Sequence, residues 1–302
     1  MDGRIKPYLQ IVRLPNVFTA AADSLAAWLL TQGLEHPTHW VPLVICSMSI
    51  YAGGIALNDL MDEPIDRVER PQRPLPSGAV TRRFAWRLVV VLLMLGLGAA
   101  ALSGSVVSLI VAFILAMCVI AYDVGGKNTP AGPLLMGACR GLNVLLGFSQ
   151  VAALGGPLAW LYAGSIALYI AGVTSISRSE TTSGRTTNLK VGIVTQSLGL
   201  ILAFNIGVQL GSARRGPEGF LLWELASLVG QAALGFLIVR SAARAWKTPE
   251  PSTIQYAVRT GVLSLIWIHV VVLLWSFGPV PALIVALLAL PAQGLARWLY
   301  TT

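Results

Sequence analysis

Hydrophobic positions in this chain fall in long runs rather than in alternation or narrow stripes. Ten runs stand out: 15–33, 40–57, 84–103, 105–122, 132–153, 158–176, 191–211, 219–242, 256–277 and 279–299. A bilayer's hydrocarbon core needs about 20 predominantly apolar residues per helix. Each run therefore predicts one membrane-spanning helix. Only Gly278 and Pro279 join the last two runs. That pair reads either as a tight hairpin or as one long bent element, so nine or ten helices are expected. No polar stretch is long enough for a separate soluble domain, and residues 1–302 read as one all-α polytopic membrane domain.

The polar positions between the runs alternate in charge. One set of connections carries Arg4, Lys6 and Arg13; Arg67, Arg70, Arg73, Arg82 and Arg83; Lys127; Arg178, Arg185 and Lys190; Arg244 and Lys247; and Arg297. The opposite set carries only Arg214 and Arg215, and the connections near His36, Ser103, Gly155 and Gly278 have no Lys or Arg. Basic loops stay on the cytoplasmic side of a membrane. The pattern thus predicts a multi-pass protein of the inner (plasma) membrane with both termini inside. The first residues, MDGRIKPYLQIVRLPN, are too polar for the apolar core of a signal peptide and read as an interfacial segment.

Composition agrees. The chain is 55% hydrophobic and 11% charged, where soluble domains carry about 25% charged residues. Its net charge of +8 lies in these short loops rather than on one soluble patch, which argues against a nucleic-acid partner. Cys46, Cys118 and Cys139 all sit inside apolar runs and read as small buried side chains.

One stretch breaks the pattern. NDLMDEPIDRVERPQRPLPSG, residues 58–78, follows an uncharged run from Trp40 to Leu57. Asn58, Asp62 and Asp66 are each four apart, which stacks them on a helix, with Asp59 beside them. Pro64 predicts a kink there, or a new short helix after a break near Asp62. A single carboxylate within a membrane helix already costs about 2.5–3.5 kcal/mol, so several together need a cation. An all-oxygen Asn and Asp set suits Mg²⁺, which commonly bridges carboxylates to a substrate phosphate. Arg67, Arg70 and Arg73, just downstream, are good phosphate partners. Together these describe a diphosphate site at the membrane surface. The alternative is a solvated loop whose acids and bases pair off.

The stretch resembles the first aspartate-rich motif of the UbiA superfamily of intramembrane prenyltransferases, N-D-x-x-D-x-x-x-D followed by R-P-x-R-P-x-x-x-G. RLPN, Arg13 to Asn16, opens the first helix as in that family. The resemblance implies a helical bundle around a central cavity, with residues 279–299 as an extra helix beyond the usual nine. It implies Mg²⁺-dependent transfer of a prenyl group from a polyprenyl diphosphate to an aromatic or other lipophilic acceptor within the bilayer. By position it makes Asn58 and Asp62 metal ligands, with Asp66 assisting and Asp59 orienting. Arg67 and Lys127, the latter in AYDVGGK, would bind diphosphate; Arg70, Arg73, Arg13 and Arg140 are further candidates. For Arg13 an interfacial anchor is the alternative, and for Arg140 a side chain reaching up to the headgroups.

The family's second aspartate-rich motif has no counterpart. VTSISRSETTSGRTTNLKVG, Val173 to Gly192, holds Glu180 as its only acid, a loop that resembles the EboC-like branch. Either Glu180 serves as a reduced second ligand while Arg178 and Arg185 offset the diphosphate, or the chain binds or transports an isoprenoid diphosphate without turning it over. A CDP-alcohol phosphotransferase needs D-G-x-x-A-R after its first acids, which is missing here. Elsewhere, Asp23 in the first apolar run is a candidate for lining an acceptor pocket. Asn143, Gln150, Asn205, Gln209 and Gln231 are expected to bond between helices, and His269 to be a packed, hydrogen-bonded side chain. Gly207 and Gly211 could allow close helix contact.

Overall fold

The computed structural model describes residues 5–33, 37–179, 186–212 and 221–300. Glu180, Arg185, Arg214 and Arg215 lie outside them. A short α1 (Lys6–Gln10) leads into α2 (Leu14–Gln32), α3 (Pro37–Glu69), α4 (Arg82–Leu102) and α5 (Val106–Asp123). Then follow α6 (Gly132–Phe148), α7 (Pro157–Ser177), α8 (Thr186–Ser212), α9 (Leu221–Lys247), α10 (Pro251–Phe277), α11 (Pro279–Ala286) and α12 (Ala289–Tyr300). Each of the ten apolar runs is largely helical among the described residues. Eight spans are long and apolar enough to cross a membrane: α3, α4, α5, α7, α8, α9, α10 and the stretch Pro279–Leu299. Gly132–Phe148 is a shorter apolar helix. The final pair resolves as a turn at Gly278, whose φ of +76° suits glycine, followed by a span broken between α11 and α12.

The outer helices show lipid-facing sides. Val90, Val91, Met94 and Leu95 on α4 and Ile110, Phe113, Ile114 and Met117 on α5 are exposed, as apolar side chains can be where the solvent is hydrocarbon. α2 is the reverse. It is buried along nearly its whole length, with Ala20, Ala21, Ala22, Ala26 and Ala27 letting neighbours approach closely. Because protein surrounds it, α2 can carry Asn16, Thr19, Asp23 and Ser24.

The α7–α8 pair is packed through glycines. A methyl group on Gly172 would collide with the backbone of Gln196, and one on Gly199 with the backbone of Tyr169. Neither obstacle is a flexible side-chain end, so the helices themselves would have to part. Gly172→Ala is expected to lower stability by about 1–3 kcal/mol, the usual cost of overpacking; an unfolding midpoint equal to that of the parent protein would contradict the tight contact. Gly207 likewise faces Val272 and Tyr162 closely.

α3 runs through Pro64 without a break. Pro64 sits on the exposed side, where water or lipid headgroups, not packed protein, face the missing hydrogen bond. The expected interruption near Asp62 is therefore corrected to one continuous helix.

Candidate functional site

Helical arithmetic sorts the acidic motif onto two faces. At about 100° per residue, a step of four advances about 40° around the helix, and a step of seven returns within about 20°. Asn58 and Asp62 therefore share one face of α3, while Asp59 and Asp66 share another. The structure follows this division. Asn58 and Asp62 line a cavity of about 660 Å³ between α2, α3, α5, α6, α7 and α10. Asp59 and Asp66 are buried behind its wall. Arg13 donates to Asp59 at 2.9 Å, and Arg73 pairs with Asp66 and lies 3.9 Å from Asp59.

The cavity is amphipathic along its length. Ser47 and Asp62 are 15 steps apart along α3, or about 22 Å at about 1.5 Å per step. One end gathers Arg13, Asn58, Asp62, Arg70, Arg73 and Asp123. The walls beyond are supplied by Ile50, Leu115, Val119, Met136, Ile170 and Val262. Tyr51, Arg140 and Asn143 also line it. A charged mouth on an apolar chamber suits a ligand with an anionic head and a hydrocarbon body.

Lys127 reaches the charged end from the turn Gly126–Asn128. Its Nζ donates to Asn58 Oδ1 at 3.1 Å and meets Asp62 Oδ1 at 2.6 Å. Asn58 Nδ2 in turn donates to Asp62 Oδ2 at 3.0 Å. A cation, here an ammonium, thus bridges the two oxygen groups that the sequence pattern assigned to a metal. Among the described residues no three His, Cys, Asp or Glu side chains converge on one point. Mg²⁺ does not require that: it is usually held by one or two carboxylates, several waters and the substrate's phosphates. The donor chemistry of Asn58 and Asp62 fits it.

Other predicted site residues lie elsewhere. Arg67 does not reach the cavity; it is exposed and pairs with Glu63 at 2.7 Å, one turn back. Arg178 also lies off the cavity wall. Its guanidinium donates to the backbone carbonyls of Lys127 and Thr129, which fastens the turn that carries Lys127. Arg13 stands at the α1–α2 junction with φ +43°, an uncommon backbone conformation for a non-glycine residue, and it both lines the cavity and holds Asp59.

Asp23 is corrected from a pocket-lining group to a fully buried one. It accepts from Arg140 Nη1 at 2.7 Å, Asn143 Nδ2 at 3.0 Å and the His269 ring at 3.0 Å. Arg140 also donates to Thr19 at 2.7 Å and lies over the Tyr51 ring. It is buried, so it does not reach toward headgroups. Tyr162 meets the other His269 nitrogen at 2.9 Å. Gln150 bonds between helices as expected, but Asn205 and Gln231 turn back to Ile201 and Ser227 on their own helices. The pattern had passed over Tyr51, Tyr122 and Asp123, which line the cavity. Asp123 had one local signal: it is the acid closing an otherwise uncharged run, four residues before Lys127.

A helical membrane bundle whose chamber joins clustered cations and oxygen donors to an apolar interior defines a class of lipid-handling membrane proteins. Within it, this chain belongs to the UbiA prenyltransferase family, whose model matches residues 17–256. Among curated relatives it is 28% identical over 272 residues to a digeranylgeranylglyceryl phosphate synthase of Methanoculleus marisnigri, covering 86% of this chain and 93% of that one. Synthases of the same name from Sulfolobus acidocaldarius and Metallosphaera sedula match at 34% and 32% identity over 31% and 47% of this chain. Those two alignments span only 34% and 51% of the relatives' own lengths. Among solved structures, a digeranylgeranylglyceryl phosphate synthase superimposes with a TM-score of 0.63 at 22% identity, covering 92% of this chain and 99% of that one. A UbiA homologue from Aeropyrum pernix K1 gives 0.62 at 20% identity, with 82% and 94% covered. One from Archaeoglobus fulgidus, bound to GPP and Mg²⁺, gives 0.51 at 15% identity, with 88% and 99% covered.

Proposed function

We propose that the protein is a Mg²⁺-dependent intramembrane prenyltransferase. It takes the prenyl group of a polyprenyl diphosphate and passes it to an aromatic or other lipophilic acceptor. The observation that carries this reading is the gathering of Asn58, Asp62, Arg70 and Arg73 on the wall of one cavity at the mouth of an apolar chamber, with Lys127 in contact with Asn58 and Asp62. Asn58 and Asp62 would hold the metal, which when bound offsets charge growing on a leaving diphosphate. Lys127, Arg70 and Arg73 bind the same anion directly. The chamber holds the prenyl chain and keeps water from the allylic carbon. The allylic C–O bond breaks with its electron pair going to pyrophosphate, a bond forms to the acceptor, and the acceptor loses a proton.

Several observations support the details. The Archaeoglobus fulgidus homologue holds a prenyl diphosphate with Mg²⁺. The relatives named digeranylgeranylglyceryl phosphate synthase point to lipid acceptors as one option. Asn143 Oδ1, buried and without a hydrogen-bond partner among the described residues, suits an acceptor that brings a hydroxyl into the chamber. The alternation of basic loops supports a cytoplasmic mouth and cytoplasmic termini.

The test is release of pyrophosphate by the reconstituted protein given a prenyl diphosphate and candidate acceptors. Chelation of divalent metal is expected to abolish release and Mg²⁺ to restore it. Undiminished turnover in chelator would refute the metal-dependent reading. A second reading, binding without turnover, draws on the acid-poor 173–192 loop and on Arg178 being committed to the backbone of the Lys127 turn. It predicts saturable binding of the diphosphate with no pyrophosphate released under any acceptor.

A further inference from the structure

Five acidic side chains are buried among the described residues: Asp23, Asp59, Glu63, Asp66 and Asp123. Four have cationic partners. Asp23 has Arg140, Asp59 has Arg13, Glu63 has Arg67 and Arg82, and Asp66 has Arg73. Asp123 is the exception. It is 4% exposed, and no described residue donates a hydrogen bond to its carboxylate or forms an ion pair with it. It is also the one of the five that lines the cavity. Burying a carboxylate without a partner is costly, so a fold that keeps one at a cavity wall leaves it for something that enters the cavity.

The surroundings say what that is. A methyl group on Gly54 of α3 would lie 3.9 Å from Asp123 Oδ2. Gly54 is one turn before Asn58, and Asn58 one turn before Asp62. Asp123 therefore lies beside the same strip of α3 that presents the oxygen donors, next to Val119, whose Cγ1 fills the space over Gly54. The charged groups around it are Lys127, Asp62, Arg13 and Asp59. Lys127 is already engaged by Asn58 and Asp62. Asn58, Asp62 and Asp123 line the same cavity, and two carboxylates with an amide oxygen are the donor types a hard divalent cation takes.

We propose that Asp123 is the second carboxylate of a divalent-cation site shared with Asn58 and Asp62, standing where the 173–192 loop offers Glu180 alone. The proposal rests on the reading of Asn58 and Asp62 as the cation's oxygens. The chain thereby draws its second acid from the end of α5 rather than from the loop after α7.

The experiment titrates Mn²⁺ into the purified full-length protein in detergent and follows free Mn²⁺ by electron paramagnetic resonance. It compares the parent protein with Asp123→Asn and Asp62→Asn, each checked for its unfolding midpoint. Both variants are expected to weaken Mn²⁺ binding by about tenfold or more. Parent-like affinity in Asp123→Asn, with loss in Asp62→Asn, overturns the role of Asp123 and leaves the Asn58–Asp62 reading standing. Parent-like affinity in both, or no binding by the parent protein, overturns both readings. A changed pH–rate profile for Asp123→Asn with unchanged Mn²⁺ affinity would make Asp123 a proton acceptor instead and overturns the ligand role. If the amide variant does not fold, Asp123→Ser carries the same comparison.

Discussion

Asp62→Ala is expected to reduce prenyl transfer by about 10²–10³-fold, the scale seen when one preorganised charge-stabilising group is removed. Asp62 is half of the oxygen pair facing the cavity, and it holds Lys127 at 2.6 Å. Its loss removes a carboxylate from the cation and frees the lysine from its position. Pyrophosphate release under saturating donor is the measurement, and kcat rather than KM should carry the change. Asp66→Ala offers the contrast. Asp66 is 3% exposed and turned toward Arg73, so its loss should act through the position of Arg73 and through stability. Equal kcat losses in the two variants with unchanged stability would show that the division of the motif into two faces is functionally empty.

The second large effect is on stability. Asp23→Ala is expected to cost about 3–5 kcal/mol, because it leaves the Arg140 guanidinium buried without its counter-charge. Arg140 would keep the Thr19 oxygen at 2.7 Å and its contact with Tyr51 but no counter-charge, and the His269 and Asn143 donors would lose their acceptor. Denaturation in detergent, followed by tryptophan fluorescence, reports the change. The double variant Asp23→Leu with Arg140→Met should recover most of the loss, since apolar replacement of both members of a buried ion pair is often close to neutral. A single variant as stable as the parent protein would mean that water or lipid headgroups reach Arg140 after all.

Much of the fold was legible because membrane helices declare themselves by length and apolarity. The ten runs became helices, and the polar segment after the second run became the rim of the cavity. Pro64 misled because helix-breaking cost depends on what surrounds the lost hydrogen bond, and on α3 that side is exposed. The acidic motif was read as one cluster, although its spacing already contained the division: four apart for Asn58 and Asp62, seven apart for Asp59 and Asp66. What spacing could not contain was which arginine each acid meets. Arg13 lies 46 residues from Asp59. Lys127 lies 69 residues from Asn58. Arg67, the nearest arginine in sequence, turned out to serve Glu63. Asp123 was passed over because a single acid at the end of an apolar run looks like the start of a loop.

The position of Asp23 bears on how the molecule is made. It sits in the first apolar helix, while the groups that satisfy it lie 117 residues away on α6 and 246 residues away on α10. During synthesis, α2 must therefore wait beside lipid or insertion machinery with an unanswered acid until most of the chain has emerged. Completion of the bundle, and not insertion of each span in turn, is what shelters that charge; chains truncated before α10 would be left with a half-satisfied centre for quality-control proteases to find.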